Sequence, residues 1–493
     1  MKGLGQQETE LLRTVLGLVL EYLERGDDGQ EPVGTQPDVQ ALRDAISWRL
    51  PERGVSNSAL VDVVRDYLGF SVRTGSPRFL NQLFSGFDLA GFLGDVVVSA
   101  TNTSMATYEI APVATLIERE LIEVMGRMVG FESGEGLMVP GGSNANMLGM
   151  LCARHRIAPE AAEEGLSGPP LVAFVSAEAH YSFAKGALLL GLGARNLVAV
   201  ECDDRGRMRP AALERAIKLA RAEGKRPFFV GATAGTTVLG AFDPLPEIAD
   251  ICRRTGLWLH VDGAWGGPAL FSRKHRHLLE GAELADTFAW DAHKLMGVPL
   301  LCTALLVREP GVLSRSCGSG GTDYIFHEGA NLDLGPVSLQ CGRRVDSLKL
   351  WLAWKHHGRR GYEERVDALM ELANHAARQA EARDGLELAI EPDFLNVCLR
   401  VTPPGFDKLT PTEQDEFTVA VRERLVEEGH IFTNYATVHG RKVIRLVLAN
   451  PAIDEAVVDD VLDSLLAAAS VQVASVPARG GNGHEGTGCS LSS

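Results

Sequence analysis

The sequence predicts an α/β protein with a mostly parallel sheet, a helical segment before the sheet and a smaller α+β unit after it. Between residues 170 and 309, six short apolar runs alternate with helix-like segments. Strands of a parallel sheet are buried on both faces, so they read as continuous apolar runs. After residue 361 the order becomes helix, strand, helix, two strands and helix, which is typical of an α+β unit.

The first part of the chain predicts helices. "TELLRTVLGLVLEYLERG" has apolar residues at helical spacing and predicts an amphipathic helix. Residues 38–95 predict further helix broken by turns. "EIAPVATLIERELIEVMGRMVGF" predicts one long helix with Pro112 near its start, where proline is tolerated.

The six strand-like runs follow in order along the central part of the chain. They are "PLVAFVS", "NLVAVE", "RPFFVGAT", "LWLHVDGAW", "DTFAWDAH" and "LLCTALLVRE". The segments between them predict helices, and "RPAALERAIKLARAEG" has proline near its start and glycine at its end. Strands alternating with helices in this way indicate parallel crossover units.

Composition and charge exclude several classes of function. The 493 residues carry a formal charge of −16, which argues against a nucleic-acid partner because phosphate contacts need clustered Lys and Arg. No apolar run reaches the roughly 20 residues that span a bilayer, and the start lacks a signal-peptide pattern. The eight cysteines show no C-x-x-C spacing, so we expect no metal site and no disulfide framework. These features predict a cytoplasmic protein without a membrane partner.

Three polar residues stand where predicted strands end. Asp262 ends "LWLHVD", Lys294 follows "DTFAWDAH" and Thr233 ends "RPFFVGAT". Ligands of open α/β sheets bind beyond the carboxyl ends of the strands, so these side chains can face one pocket. A buried Asp–Lys ion pair, or two unrelated solvated ends, would explain Asp262 and Lys294 equally well when they are taken alone.

The stretch "VPGGSNANM", residues 139–147, favours the functional reading. Its two glycines and Ser143 precede a helix, and backbone N–H groups at a helix N-terminus bind phosphate. Gly-Gly-Ser is also common in plain turns. A phosphate site, a strand-end aspartate and a strand-end lysine together indicate pyridoxal 5′-phosphate (PLP). His180, in "EAHYSF", could stack on its ring or be an ordinary loop histidine.

A longer series of motifs carries a family resemblance. The run "NTSMATYEIAPV", "PGGSNANM", "EAHYSFAKGA", "ATAGTTVLGAFDP", "LHVDGAWGG", "WDAHKLMGVPL" and "LQCGRRVDSLKLWLAWK" resembles the group II PLP-dependent amino-acid decarboxylases. Within them it is most similar to the glutamate, cysteine-sulfinate and aspartate decarboxylase branch, over roughly residues 78–452. The resemblance implies PLP fold type I, which is aspartate aminotransferase-like, with a seven-stranded sheet. It also implies a homodimer with the active site at the subunit interface.

The resemblance assigns roles to individual residues. Lys294 matches the lysine that holds the cofactor as a Schiff base, and Arg445 the arginine that holds the substrate carboxylate, which suits a planar guanidinium. A strand-face charge is the alternative for Arg445. The other matches are Asp262 as partner of the pyridine nitrogen, Ala264 under the ring, His180 stacked on it, Thr233 near its hydroxyl, Gly142, Ser143 and His293 near the phosphate, and Gln82 in the substrate pocket.

Two positions depart from the family pattern. Leu332 stands where the family has a loop tyrosine, contributed by the partner subunit, that protonates the α-carbon. Leucine has no proton to give, so either another acid such as His327 serves or the quinonoid has another fate. The alternative is decarboxylation coupled to oxidative deamination, which uses O2 and gives an aldehyde. Tyr324 lies farther back and is not assigned the role, and a shift of alignment in a variable loop would also explain the leucine.

The second departure concerns the substrate. Ser104 agrees with the cysteine-sulfinate and aspartate branch, but Ala106 stands where that branch keeps an aromatic ring. The lost ring opens space, so we expect an acidic or a bulkier L-amino acid, possibly an S-substituted cysteine, or a neighbour that refills the gap. The reaction that the resemblance implies is α-decarboxylation.

The predicted domains follow from these assignments. Residues 1–84 form an N-terminal helical dimerisation segment, 85–360 the PLP-binding large domain and 361–473 the small α+β domain. Residues 474–493 form a tail rich in Gly and Ser, which predicts disorder.

Overall fold

The computed structural model describes residues 3–25, 32–34, 37–318 and 332–475. Five helices precede the sheet: α1 (Gln6–Glu24), α2 (Val39–Ala45), α3 (Asn57–Phe70), α4 (Leu89–Thr101) and α5 (Pro112–Val129). The predicted long helix is α5, which begins at Pro112 and ends at Val129; Gly130 caps it with a φ of 103°, which an L side chain rarely adopts. Within the described ranges no helix is both long enough and apolar enough to cross a bilayer.

The predicted parallel sheet is confirmed. Its strands are β1 (Glu135–Val139), β2 (Leu171–Ser176), β3 (Leu197–Val200), β4 (Arg226–Thr233), β5 (Trp258–Asp262), β6 (Thr287–Asp291) and β7 (Thr303–Val307). They lie in the order β1-β7-β6-β5-β4-β2-β3. Only β7 runs antiparallel to its neighbours, β1 and β6. The six apolar runs in the sequence are β2 to β7, and β1 completes the seven strands.

Helices cover both faces of the sheet. They are α6 (Gly142–Ile157), α7 (Ser182–Leu189), α8 (Pro210–Ala222), α9 (Leu245–Thr255) and α10 (Val312–Cys317). One apolar cluster joins the sheet to α6, α7 and α10, and a second joins it to α5, α8 and α9. This two-sided burial is why the strands read as continuous apolar runs.

The C-terminal part forms a second, antiparallel sheet. It contains α11 (Asp346–Glu381), β8 (Leu386–Leu388), β9 (Asn396–Val401), α12 (Pro411–Glu427), β10 (Asn434–Val438), β11 (Arg441–Val447) and α13 (Glu455–Ser475). The strand order is β10-β11-β9-β8. Helix α11 starts 16 residues before the predicted helix, and Gly358 (φ 67°) interrupts its helical geometry two residues before the predicted domain boundary at 360.

Of the predicted tail, 474–493, only the first two residues lie within the described part of the chain. Helix α13 continues to Ser475, so residues 474 and 475 are helical. Residues 476–493 lie outside the described residues.

Candidate active site

The strand register places the predicted polar residues at the carboxyl ends of three neighbouring strands, β4, β5 and β6. Thr233 pairs with Asp262, and Asp262 pairs with Ala289 on β6. Lys294 follows β6 by three residues. Because these strands are parallel, their carboxyl ends open toward the same side.

Lys294 is held by a carboxylate that the sequence analysis did not assign. Its Nζ lies 3.0 Å from Oδ2 of Asp291, whose side chain is 2% exposed. Thr303 donates its hydroxyl to the other oxygen of Asp291 at 2.7 Å. Burial raises the pKa of Asp291, but the charges of Lys294 and His293 outweigh it, and the net pKa is lowered. The Lys294 side chain is 20% exposed, so its amine can be reached by a ligand.

Asp262 is buried at the end of β5 with both oxygens bonded. Asn146 on α6 donates its amide nitrogen to Oδ2 at 2.7 Å. The backbone N–H of Ala264 donates to Oδ1 at 3.1 Å. These two bonds hold the carboxyl group of Asp262 in one orientation at the carboxyl end of β5.

His180 is half-buried and lies two residues before α7 begins. Its hydrogen bonds lead through Ser182 to Asn146. Its Nδ1 lies 2.9 Å from Oγ of Ser182 and 3.3 Å from the Ser182 backbone nitrogen. Asn146 donates to Ser182 Oγ as well, at 2.9 Å. Burial lowers the pKa of His180, so the neutral ring is favoured. The amide of Asn146 therefore bonds directly to Asp262 and, through Ser182, is connected to His180.

The glycines of the predicted phosphate site begin α6. Gly141 is the N-cap residue with φ 98°, and neither a capping side chain nor an acidic residue occupies the first turn. A Cβ at Gly142 would lie 2.8 Å from a carboxylate oxygen of Asp291. His293 is buried close by, with Nδ1 2.9 Å from the carbonyl of Cys302, and burial lowers its pKa. An uncapped helix N-terminus suits a phosphate.

The donor set fits PLP. The reachable amine of Lys294 suits an aldehyde, the buried carboxyl group of Asp262 suits a pyridine nitrogen, and the N-terminus of α6 suits the phosphate. Thr233 is buried at the end of β4. Its backbone N–H donates to Asp243 at 2.7 Å, and its buried hydroxyl has no hydrogen-bond partner among the described residues. Its predicted contact with the ring hydroxyl stays a prediction.

Arg445 lies on β11 and faces the loop that follows β4. Its two terminal nitrogens donate to the carbonyls of Thr237, at 2.9 Å, and of Asn81, at 2.7 Å. Burial lowers its pKa. Gln82 follows Asn81 directly and donates to its side chain at 3.3 Å. The predicted substrate residues Arg445 and Gln82 are therefore brought together.

The two departures from the family pattern lie side by side. Gly335 donates its N–H to the carbonyl of Ala106 at 2.9 Å, three residues after Leu332. The backbone N–H of Tyr108 donates to Asp333 at 2.7 Å. Among the described residues, no hydrogen bond or ion pair joins 104–106 to Lys294, Asp262 or Arg445. Tyr324 and His327 lie outside the described residues.

The site contains residues that sequence reasoning missed. They are Asn146, Asp291, His260 and Asn81. A signal existed for Asp291, because it precedes Lys294 by three residues at the end of an apolar run. Asn146 was in the quoted glycine motif, but its partner Asp262 is 116 residues away in the sequence.

Comparisons with known proteins identify the family of the chain. Residues 40–402 match the pyridoxal-dependent decarboxylase conserved domain. The chain is 43% identical to the cysteine sulfinic acid decarboxylase of Rattus norvegicus over 468 residues, 92% of this chain and 95% of that protein. It is 40% identical to the acidic amino acid decarboxylase GADL1 of Mus musculus over 458 residues, 90% of this chain and 83% of that protein.

A solved structure extends the likeness to three dimensions. The crystal structure of mouse CSAD matches with a TM-score of 0.91 and 42% identity, covering 94% of this chain and 98% of that one. The conserved domain covers well over half of the chain. The chain therefore belongs to the pyridoxal-dependent decarboxylase family and is a PLP-dependent amino-acid decarboxylase.

Proposed function

We propose that the enzyme removes the α-carboxylate of an acidic L-amino acid, with cysteine sulfinate and aspartate as the leading substrates. Two relatives of 40–43% identity support this class, because their names state a cysteine sulfinic acid and an acidic amino acid decarboxylase. Ser104 agrees with the same branch. Ala106 widens the expected substrate range toward longer acidic side chains.

The unpaired charge of Arg445 is the observation that carries the proposal. Arg445 is only 7% exposed, yet within the described part of the chain it forms no ion pair with an acidic side chain. A buried cation without an anion is costly, and a bound carboxylate would offset that cost. Two backbone carbonyls already orient the guanidinium, so it can hold the carboxylate in a fixed direction.

The remaining side chains have complementary roles. PLP, when bound, supplies the ring that takes up the electron pair of the broken carbon–carboxylate bond. With PLP bound, Lys294 would hold its aldehyde group, and Asp291, 3.0 Å from the lysine Nζ, would hold that amine when it is free. Asp262 would face the pyridine nitrogen. Gly142 and Ser143, with His293, would hold the phosphate, and Ala264 and His180 would lie against the ring.

The oxidative alternative is testable on the same protein. It depends on Leu332, and the comparisons give it no support. If simple decarboxylation occurs, an amine forms and the α-carbon receives a proton. If oxygen reacts instead, an aldehyde, ammonia and peroxide form together.

The exposed apolar faces of the N-terminal helices support a homodimer. Helices α1 and α3 contain no buried residue. Their exposed side chains include several large aliphatic ones, namely Leu12, Leu16, Leu20, Leu60 and Val63. A second copy would cover such a surface, as in obligate dimers. Sedimentation at increasing dilution tests this assembly.

The experiment that tests the function is a substrate panel on purified holoenzyme. Acidic, aromatic and S-substituted cysteine amino acids are supplied, and CO2, peroxide and organic product are measured with and without oxygen. We expect CO2 and amine from the acidic members, with no peroxide. Borohydride reduction and peptide mapping should label Lys294 and leave Lys349, another enclosed lysine, unlabelled. CO2 from aromatic members alone would refute the substrate class.

A further inference from the structure

A buried chain of hydrogen bonds continues beyond Asp262. Asn146 Oδ1 lies 2.9 Å from Nε2 of His260, and His260 Nδ1 lies 2.9 Å from the hydroxyl of Thr287. The indole of Trp258 donates to the same hydroxyl at 2.9 Å. Asn146, His260, Thr287 and Trp258 are each at most 3% exposed. His260, Thr287 and Trp258 are not among the residues predicted to contact PLP, so the predicted cofactor contacts do not explain these hydrogen bonds.

The chain has a single consistent direction of donation. Asn146 donates its amide nitrogen to Oδ2 of Asp262 at 2.7 Å, so its amide oxygen faces His260 and can only accept. His260 must therefore carry its proton on Nε2. Burial lowers the pKa of His260 to about 4, so the ring is neutral and its Nδ1 accepts. Thr287 consequently donates to His260 and accepts from Trp258.

A second branch leads from the same amide to His180. Asn146 donates to Ser182 Oγ, and Ser182 places both its hydroxyl and its backbone N–H against Nδ1 of His180. Since the backbone N–H can only donate, Nδ1 of His180 accepts. The neutral His180 ring therefore carries its proton on Nε2.

We infer that Asn146 and Thr287 are positioning residues, which hold the carboxyl group of Asp262 in one orientation and fix the tautomer of His180 through one buried network. The two groups proposed to contact the pyridine ring are thereby organised together before the cofactor binds. The inference rests on the proposed roles of Asp262 and His180.

Thr287 offers the cleanest perturbation because valine has nearly its shape without the hydroxyl. In Thr287→Val, Nδ1 of His260 loses its donor. If the His260 proton moves to Nδ1, Nε2 faces the oxygen of Asn146, and rotating that amide turns an oxygen toward Asp262. Whether His260 keeps its proton on Nε2 or moves it to Nδ1, about one hydrogen bond to a buried group is lost. That loss corresponds to a roughly tenfold change in the equilibrium constant for PLP binding.

The test is the affinity of the full chain, stripped of cofactor, for PLP. Binding is followed by visible absorbance from pH 6 to pH 9, with the unfolding temperature measured in parallel. We expect Thr287→Val to weaken PLP binding about tenfold and to change the pH dependence of the absorbance, while Thr287→Ser, which keeps the hydroxyl, restores both. Thr418→Val, at a buried threonine in α12, is the matched control and should bind PLP normally.

Two results separate the possible failures. If Thr287→Val lowers only the unfolding temperature and binds PLP as the parent does, the network is structural and the inference is wrong. Asp262→Asn tests the underlying assignment. Unchanged PLP affinity in Asp262→Asn would overturn the proposed role of Asp262, whereas weakened affinity there with normal Thr287→Val would overturn the network alone.

Discussion

Replacing Arg445 by methionine tests the proposed substrate contact most directly. The change removes a guanidinium whose two hydrogen bonds, to Thr237 and Asn81, are 2.9 and 2.7 Å long. In the ligand-free enzyme two effects oppose each other. Two charge-assisted bonds worth about 1.5–3 kcal/mol each are lost, and the burial of an unpaired cation, which costs several kcal/mol, is relieved. We therefore expect the stability of the ligand-free enzyme to change by no more than about 2 kcal/mol.

The effect on catalysis is much larger. Removing one partner of a buried, hydrogen-bonded charge pair costs about 2–5 kcal/mol, so kcat/KM should fall roughly 30-fold to several thousand-fold. Arg445→Lys keeps the charge but loses the planar fork, and we expect an intermediate loss. CO2 release under initial-rate conditions measures both variants. The control is Arg400→Met on the neighbouring strand β9, where the side chain pairs with Glu387.

A kcat/KM within threefold of the parent for Arg445→Met, with an unchanged unfolding temperature, would show that no substrate carboxylate meets this side chain. A large drop in unfolding temperature would instead indicate that the two backbone contacts are the main purpose of the arginine.

Two further predictions concern stability. Because the pKa of His260 is about 4 when folded and about 6.5 when unfolded, the unfolded state binds more protons between these values, and stability falls as pH drops through this window. His260→Gln should therefore lose about 2 kcal/mol less than the parent between pH 7 and pH 5 in urea unfolding, whereas His277→Gln, at an exposed site, should follow the parent. Arg343→Met breaks a buried ion pair with Glu118 at 2.9 Å and should lower the free energy of unfolding by about 3–5 kcal/mol. Arg400→Met, at an exposed pair, should lower it by at most about 1 kcal/mol. Equal losses in the two variants would contradict this account.

Much of the fold could be predicted because its strands are buried on both faces. Six strands stand out as apolar runs, but β1, "EGLMV", contains a glycine and a leading glutamate and gives no clear signal. Gly136 is explained only by three-dimensional proximity, since a Cβ there would lie 2.3 Å from the carbonyl of Leu305 on β7. Such contacts across the sheet have no counterpart in local sequence.

The candidate site was predictable to the extent that strand register decides it. Residues at the ends of neighbouring parallel strands must meet, which is why Thr233, Asp262 and Lys294 could be grouped. The contacts that orient them come from distant segments. Arg445 bonds to Asn81 across 364 residues, a separation that no local pattern predicts.

Ala106 and Leu332, which appear in the sequence as separate departures from the family pattern, belong to one structural unit. The bond from Gly335 to the Ala106 carbonyl ties the two segments together, and Met105 and Leu334 share a small apolar cluster beside it. The two departures therefore lie in segments that are hydrogen-bonded to each other. If a second copy completes the site there, substrate size and the proton source are set by one surface, and neither substitution can be interpreted without the other.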